Sequence, residues 1–286
     1  MMTFADWTAR ATSLESGGLR VATHDDGPQD APVVTYLHGF PASSLDIVPP
    51  AERIGDERRI LTLDFPGFGA SAKPTGHRYS IHACADAVED LWAFHGVTSS
   101  VLVAHDYGVS VAQELLARRL DGRLEVEVRG TVWSNGGLYP DLHRPTDGQK
   151  MLLDPENGPV LAAAVDEGLF RSGIAVTWGQ RVPMTDEEIH EMWVSMAHEG
   201  GTALMHDLLG YIADRREHAE RWRNALETYD GPMRFVWGDL DPVSGAHMID
   251  RVEERIPRAD VNRLTDVGHW PPLESPDELA SAILDL

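Results

Sequence analysis

Six short β-rich runs, separated by helical patterns, constrain the fold of this chain more than any other feature. The runs are VVTYL (33–37), ILTLD (60–64), SVLVA (100–104), GTVWS (130–134), MRFVW (233–237) and DVNRL (260–264). Such alternation is typical of a mostly parallel sheet with helices on both faces. We therefore predict an α/β fold with a twisted, mostly parallel sheet.

The strand pattern stops between residues 136 and 229, and helical patterns replace it. Thr185-x-x-Glu188 is a capping box that opens one helix, and Leu204, Leu208 and Tyr211 fall on one face of another. A helical segment inserted between two parts of one sheet is expected over the strand ends, where ligands of open α/β sheets bind. The prediction is a core domain formed by 1–135 and 230–286, with a helical cap at 136–229.

Composition excludes several classes of partner. The 24 basic and 46 acidic residues give a net charge of −22, which disfavours binding to nucleic acids and anionic membranes. No apolar run approaches the roughly 18 residues of a membrane span, and the first residues lack a secretory leader pattern, so we expect a cytoplasmic protein. The single cysteine, Cys84, excludes an internal disulfide and any multi-cysteine metal site.

The stretch VAHDYG (103–108) places an acid at the centre of a sharp turn between a strand and a helix. The small residues Ala104 and Gly108 flank Asp106 at the spacing of a nucleophile elbow, where the central residue is strained and projects into the site. An aspartate in such a place can also be a plain helix cap. As a nucleophile, a carboxylate is suited to displacing a leaving group from a saturated carbon, which leaves an ester on the enzyme.

Two later motifs favour the catalytic reading of Asp106. WGDLDPVSG follows a strand and offers Asp241 and Asp239, of which Asp241 is favoured because it fits the Gly-x-x-Asp spacing of this turn. DVGHW places His269 on a loop between the last strand and the last helix. Nucleophile, acid and histidine in this chain order predict a catalytic set of Asp106, Asp241 and His269.

The loop LHGFP (37–41) follows another strand and completes the predicted site. The amides of Phe40 and Tyr107 are candidates for an oxyanion hole. We expect His38 to make an orienting hydrogen bond within the loop, and Phe40–Pro41 is a candidate cis bond. Because these groups supply the nucleophile, the base and the oxyanion donors, neither a metal nor an organic cofactor is expected.

Together HGFP, DFPGFGAS, AHDYG, WGxxD and the late GH resemble the α/β-hydrolases of the group that includes epoxide hydrolases and haloalkane dehalogenases. This resemblance covers nearly the whole chain. HDYG, VAQELL, SNGGLYPDLHRP and LDPV resemble more closely the family of the mesoderm-specific transcript protein and its bacterial relatives. The resemblance implies an α/β-hydrolase fold with a cap, and a hydrolase whose partners are a small apolar organic substrate and water.

The resemblance to epoxide hydrolases implies two cap tyrosines that stabilise the leaving oxygen, for which Tyr211 and Tyr139 are the candidates. Haloalkane dehalogenases hold the halide with indole or amide N–H groups, but Tyr107 and Phe40 break that pattern here. Trp178 in the cap is one remaining indole donor, and we assign it to the substrate pocket with His38 and Phe40.

Four functions therefore stay open. Opening of epoxides to vicinal diols is favoured, haloalkane dehalogenation is the first alternative, and fluoroacetate-type dehalogenation ranks lower because no cationic clamp is evident in the elbow or the HG loop. A catalytically silent scaffold that acts as an interaction protein is the alternative of another class. The joint presence of Asp106, Asp241 and His269 argues against that last reading.

Overall fold

One eight-stranded sheet forms the centre of the protein, in a computed structural model that describes all of residues 1–286. The strands are β1 (Thr12–Ser16), β2 (Leu19–Asp26), β3 (Val33–Leu37), β4 (Arg59–Leu63), β5 (Ser99–His105), β6 (Glu127–Ser134), β7 (Met233–Gly238) and β8 (Asp260–Leu264). Their order across the sheet is β1-β2-β4-β3-β5-β6-β7-β8. Strand β2 is antiparallel to β1 and β4, and every other neighbouring pair is parallel. The predicted α/β fold with a mostly parallel sheet is confirmed.

The antiparallel edge, β1 and β2, was not among the predicted strands. The two strands form a hairpin around Gly17 and Gly18, whose φ angles of 56° and 79° suit glycine. Charged residues interrupt both strands, so their apolar alternation is weak, and the Gly-Gly pair was the clearest signal in the sequence.

Fourteen α-helices surround the sheet. They are α1 (Phe4–Ala9), α2 (Val48–Ile54), α3 (Ile81–Phe94), α4 (Tyr107–Leu120), α5 (Asp147–Leu152), α6 (Gly158–Ala164), α7 (Glu167–Ala175), α8 (Asp186–Ala197), α9 (Met205–Leu208), α10 (Tyr211–Glu217), α11 (Ala219–Thr228), α12 (Ala246–Arg255), α13 (Pro271–Glu274) and α14 (Pro276–Leu284). The chain between β6 and β7 is helical and contains no strand, and we call it the cap segment. None of the helices combines the length and the apolar character needed to cross a membrane.

Both faces of the sheet are buried by helices. On β5, Leu102 and Ala104 pack into the larger apolar cluster, which includes residues of α3, α4 and the cap segment. Val101 and Val103 point the other way, into a second cluster with residues of α2 and α14. This burial explains why the central strands are almost continuously apolar.

Side chains cap the starts of α3 and α8. Ser80 accepts from an amide in the first turn of α3, and Thr185 with Glu188 forms the capping box of α8. The start of α14 has no side-chain cap, because the Ser275 hydroxyl donates to the Pro271 carbonyl at 3.2 Å. Helix α13 ends at the preceding residue, so its last turn uses the hydroxyl that a cap would need.

Candidate active site

Asp106 lies at the turn from β5 into α4 in a conformation that side chains rarely adopt, with φ 43° and ψ −99°. Its carboxylate does not cap the helix. Close packing at the turn requires glycine at two places: a Cβ at Gly108, within the turn, would lie 2.1 Å from the Leu37 carbonyl oxygen, and one at Gly39, on the facing loop after β3, would lie 3.0 Å from the Asp106 Cβ. The chain thus holds a buried, strained carboxylate that is not used as a cap, which is typical of a functional residue.

The loop after β3 faces this carboxylate. The Phe40 amide donates to Asp106 Oδ2 at 2.9 Å, and Tyr107 opens α4, where the first amides have no partner within the helix. An N–H group in this position can stabilise negative charge on the carboxyl group when it is attacked. The Phe40–Pro41 bond is cis.

His38 orients this loop and does not line the cavity. Its Nδ1–H donates to the Gly39 carbonyl at 2.9 Å, and its Nε2 accepts from the Phe65 amide at 3.0 Å. Burial lowers the pKa of His38, which agrees with a neutral imidazole that both donates and accepts. The structure therefore places His38 behind the site and not in the substrate pocket.

Asp241 and His269 meet opposite Asp106. His269 Nδ1 lies 2.7 Å from Asp241 Oδ2, and its Nε2 lies 3.8 Å from Asp106 Oδ1. The other predicted acid of the turn, Asp239, instead binds the guanidinium of Arg263. Of the two candidates, Asp241 is thus the acid that contacts the histidine.

The surroundings of Asp241 keep it ionised although it is buried. Its carboxylate also accepts from the Val243 amide at 2.8 Å, the Ser244 hydroxyl at 2.7 Å and the Asn135 side-chain amide at 3.0 Å. Burial alone would raise the pKa of Asp241, but the charge of His269 and these hydrogen bonds hold it well below its ordinary value.

The same pair makes His269 a stronger base than a free imidazole. Burial favours the neutral ring, yet the Asp241 carboxylate and the more distant Asp106 outweigh it and raise the pKa of His269 to about 9. With this pKa, the ring is largely protonated at neutral pH. The imidazole can take a proton from water only after Nε2 has lost its proton.

A buried carboxylate fixes the backbone on both sides of His269. Glu274 accepts from the Gly268 amide at 3.0 Å and from the Trp270 amide at 3.1 Å, and burial raises its pKa. The imidazole of His105 faces the His269 carbonyl oxygen at 2.7 Å. The position of the His269 side chain therefore depends on a closed set of backbone hydrogen bonds.

Part of this set comes from the cap segment, through residues 177–181, which we call the strap. The Thr177 carbonyl accepts from the His269 amide at 2.8 Å, and the Gly179 amide donates to Glu274 at 2.8 Å. The approach is so close that a Cβ at Gly179 would lie 2.3 Å from the Gly268 nitrogen. The strap and the histidine loop are packed as one unit.

Of the two predicted tyrosines, Tyr211 is the one that lies near Asp106, behind the cavity wall and in contact with Tyr107 and Arg215. Its ring packs on that of Tyr107 with centroids 4.8 Å apart, and its buried hydroxyl has no hydrogen-bond partner in the protein. Burial and then the charge of Asp106 raise the pKa of Tyr211 above its ordinary value, so the phenol is protonated at neutral pH.

The structure does not bring Tyr139 and Trp178 to Asp106, which corrects both predictions. The Tyr139 hydroxyl donates to Glu227 at 3.3 Å, and its ring packs against the Arg251 guanidinium. The Trp178 indole donates to the Val182 carbonyl at 3.0 Å and does not line the substrate cavity. Both errors arise because the directions of cap side chains depend on how short helices pack, which spacing along the chain does not reveal.

A cavity of about 360 Å³ leads from the surface to His269. Phe40, Val243 and Trp270 line it from the core, and apolar residues of α5, α6 and α7 line it from the cap segment. Met151, Leu169 and Val176 belong to this lining and are also exposed to solvent. The lining favours a small apolar ligand whose reacting end lies at His269.

Sequence reasoning missed Arg215 and Glu274. Arg215 follows Tyr211 by four residues on α10, so the two share a helix face, and this spacing was the available signal. Its Nη2 donates to the Asp106 carbonyl oxygen at 2.8 Å. Glu274 gave no signal, because a glutamate beside a proline turn usually lies on the surface.

Comparisons with known proteins agree with this architecture. The model of the alpha/beta hydrolase family matches residues 36–282. Putative hydrolase LipZ of Mycobacterium tuberculosis is 39% identical over 261 residues, which are 91% of this chain and 90% of LipZ. The mesoderm-specific transcript homolog protein of Bos taurus is 35% identical over 279 residues, with 94% of this chain and 83% of that protein covered.

Solved structures share the fold at lower sequence identity. The crystal structure of haloalkane dehalogenase DbeA from Bradyrhizobium elkani superposes with a TM-score of 0.80 at 20% identity over 96% of each chain. The family model, the relatives matched over most of their length and the shared fold all agree. The chain therefore belongs to the alpha/beta hydrolase family.

Proposed function

We propose that the protein is a hydrolase with Asp106 as nucleophile, which opens epoxides to vicinal diols through a covalent ester. The observation that carries the choice of epoxides is the Tyr211 hydroxyl, a buried donor without a partner beside the nucleophile turn. An epoxide oxygen must gain a proton as its C–O bond breaks, and a protonated phenol can supply one.

The first step is attack by the Asp106 carboxylate on a ring carbon. The new C–O bond forms the ester, the ring C–O bond breaks, and its electron pair stays on the leaving oxygen, which takes the Tyr211 proton. The Phe40 amide already donates to Asp106 Oδ2 at 2.9 Å, which leaves Oδ1, the atom facing His269, to attack.

In the second step water hydrolyses the ester. Neutral His269 takes a proton from water, and the hydroxide attacks the Asp106 carboxyl carbon. Negative charge then develops on Oδ2, which accepts from the Phe40 amide, with the Tyr107 amide as the proposed second donor, and Asp241 stabilises the imidazolium. As the intermediate collapses, the His269 imidazolium gives its proton to the departing diol oxygen, and the proton left on the new carboxyl oxygen of Asp106 passes to the Tyr211 phenolate, so that carboxylate, imidazole and phenol are all restored. Side chains and backbone amides supply every group that these steps require.

Haloalkane dehalogenation is the second candidate, because structures such as that of DbeA share the fold. A halide site needs free N–H donors next to the nucleophile. The indoles of Trp270 and Trp178 donate to the Thr177 hydroxyl at 2.9 Å and the Val182 carbonyl at 3.0 Å. Because these two indole N–H groups already donate to oxygens of the protein, they are not free to bind a halide. We therefore favour an epoxide over a haloalkane as the substrate.

Trapping the ester tests the proposal. In His269→Gln the ester should form and persist, so the variant is exposed to a panel of terminal epoxides and, separately, to primary haloalkanes. Intact-protein mass and peptide mapping are the readouts. A mass increase equal to an intact epoxide, located on Asp106, is the expected result.

The control is Asp106→Asn/His269→Gln, which should not be labelled. An alkyl adduct formed only from haloalkanes would replace the proposal with dehalogenation. Absence of any adduct would overturn both the epoxide hydrolase and the dehalogenase function, and would favour a catalytically silent scaffold.

A further inference from the structure

Arg215 places a buried cation next to the proposed nucleophile. Its Nε donates to the Ser110 hydroxyl at 2.6 Å, its Nη2 donates to the Asp106 carbonyl oxygen at 2.8 Å, and the same Nη2 lies 3.9 Å from Asp106 Oδ1. No other carboxylate lies within ion-pair distance of the guanidinium. Burying a charge is costly unless it is paired. A buried cation whose one carboxylate neighbour is the proposed nucleophile therefore indicates a role in the reaction.

Two buried polar groups that contact each other have no hydrogen-bond partner in the rest of the protein. They are Arg215 Nη1 and the Tyr211 hydroxyl, which both belong to side chains about 1% exposed. The guanidinium carbon lies 4.4 Å from the centre of the Tyr211 ring, so the two side chains are in contact. Buried donors are nearly always paired, so an arginine N–H and a phenol O–H that face only each other indicate a site for an acceptor that the substrate brings.

We propose that Arg215 and Tyr211 together form the subsite that receives the leaving oxygen, with Arg215 in the place of a second tyrosine. The inference rests on the proposed function. Tyr211 transfers its proton to the oxygen as the ring C–O bond breaks, and Arg215 Nη1 donates a hydrogen bond to the same oxygen. The guanidinium keeps its proton throughout and stabilises the negative charge shared by the oxygen and the phenolate.

The movement of charge during the reaction agrees with this role. Before attack, the Asp106 and Asp241 carboxylates face the Arg215 and His269 cations. When the ester forms, Asp106 becomes neutral and the negative charge passes to the leaving oxygen. Arg215 is then the cation left without its partner at the moment when the new anion appears.

The same change makes Tyr211 a better acid when its proton is needed. In the free enzyme, burial and the Asp106 charge raise the pKa of the phenol, and the Arg215 charge opposes them. Ester formation removes the contribution of Asp106 and leaves that of Arg215. His143 also lies near, but burial and the Arg215 charge lower its pKa to about 4, so it does not replace the cation.

The experiment compares leaving groups in the His269→Gln background. Ester formation is followed by intact-protein mass with a terminal alkyl epoxide and with the alkyl bromide of the same chain length. Arg215→Met should slow labelling by the epoxide on the order of 10²-fold, because the alkoxide needs stabilisation. Labelling by the bromide should change only a few-fold, since bromide leaves without a proton.

Arg216→Met is the matched control, because it removes a cation from the next, exposed residue of α10. It should leave both rates unchanged. In the double variant Tyr211→Phe/Arg215→Met, the rate of labelling by the epoxide should fall by less than the product of the two single-variant fold-losses if both donors serve one oxygen.

Equal slowing of both substrates by Arg215→Met would reduce Arg215 to a structural support and overturn the inference, while the proposed function would stand. If the methionine variant does not fold, Arg215→Lys takes its place with the same two outcomes, because lysine keeps a charge but lacks the second N–H arm. Failure of both substrates to label the His269→Gln parent would instead remove the proposed function, and the inference with it.

Discussion

The Nε2 atom of His269 stands 3.8 Å from Oδ1 of Asp106, too far for a hydrogen bond. A serine nucleophile has to hand its proton to the histidine and therefore needs direct contact, whereas a carboxylate has no proton to give. The separation suits a histidine that acts on water after the ester has formed.

Asp106→Asn should lower turnover by at least about 10³-fold and leave the fold intact, because the amide has the same shape but is not a nucleophile. Steady-state kinetics and circular dichroism check this, with deamidation excluded by intact-protein mass. Asp239→Asn is the control, since that acid binds Arg263 and should be dispensable for turnover. Wild-type turnover in the Asp106 variant would refute the assignment.

Gly39→Ala should lower the rate on the order of 10²-fold through the Phe40 amide. The new Cβ would lie 2.9 Å from His105 Nδ1 and 3.0 Å from the Asp106 Cβ, so the loop must shift. Single-turnover kinetics measure the loss. Gly168→Ala is the control, because the nearest atom to its Cβ is 3.4 Å away, and comparable losses in both variants would contradict the prediction.

Hydrolysis of the ester should become faster as the pH rises and level off below pH 9. Burial lowers the pKa of His269, whereas Asp241 and Asp106 raise it to about 9 in the free enzyme. The ester removes the Asp106 charge, so the pKa of His269 falls in the intermediate, and the neutral base appears at lower pH. Stopped-flow decay of the ester across this range is the measurement, and a rate that falls with pH would be incompatible with a neutral base.

Tyr211→Phe should slow the opening of epoxides on the order of 10²-fold and spare displacement of bromide, because only the alkoxide requires a proton. Tyr139→Phe is a matched change outside the site and should affect neither reaction, since its hydroxyl contacts Glu227. Initial rates of ester formation in the His269→Gln background give the comparison. Equal effects on both substrates would indicate that Tyr211 serves packing alone.

Glu274→Gln should reduce the free energy of unfolding by about 1–3 kcal/mol, because one carboxamide nitrogen would face amides that need an acceptor. The change should also lower the pKa of His269, which the Glu274 charge helps to raise. Urea unfolding and the pH dependence of ester hydrolysis report the two effects. Glu278→Gln, in a partly exposed pair with Arg181, should change both very little.

The parts of the site that follow strands could be predicted from sequence. Asp106, Asp241 and His269 each come after a strand whose position in a parallel sheet is fixed by its neighbours, so their convergence follows from topology. Tyr139 was misplaced and Arg215 missed because both belong to the cap segment. There, short helices take directions that depend on packing between elements distant in sequence.

Glu274 was missed for a different physical reason. Its burial results from three amides that converge on one point, two from the histidine loop and one, that of Gly179, from the strap, which is distant in sequence and meets the others only in the folded chain. Local patterns describe which side of a helix is apolar. They do not report a carboxylate that is buried because backbone donors surround it.

The strap has a consequence for how such proteins can diversify or be engineered. Residues 177–181 belong to the cap by position in the chain, but they hold the backbone of the histidine loop in the core. A chimera that exchanges only the cap with a relative would therefore also exchange part of the support of His269, the proposed general base. Grafts that keep 177–181 together with 266–274 are expected to retain turnover. The residues that support the proposed chemistry therefore extend across the boundary between the core and the cap segment.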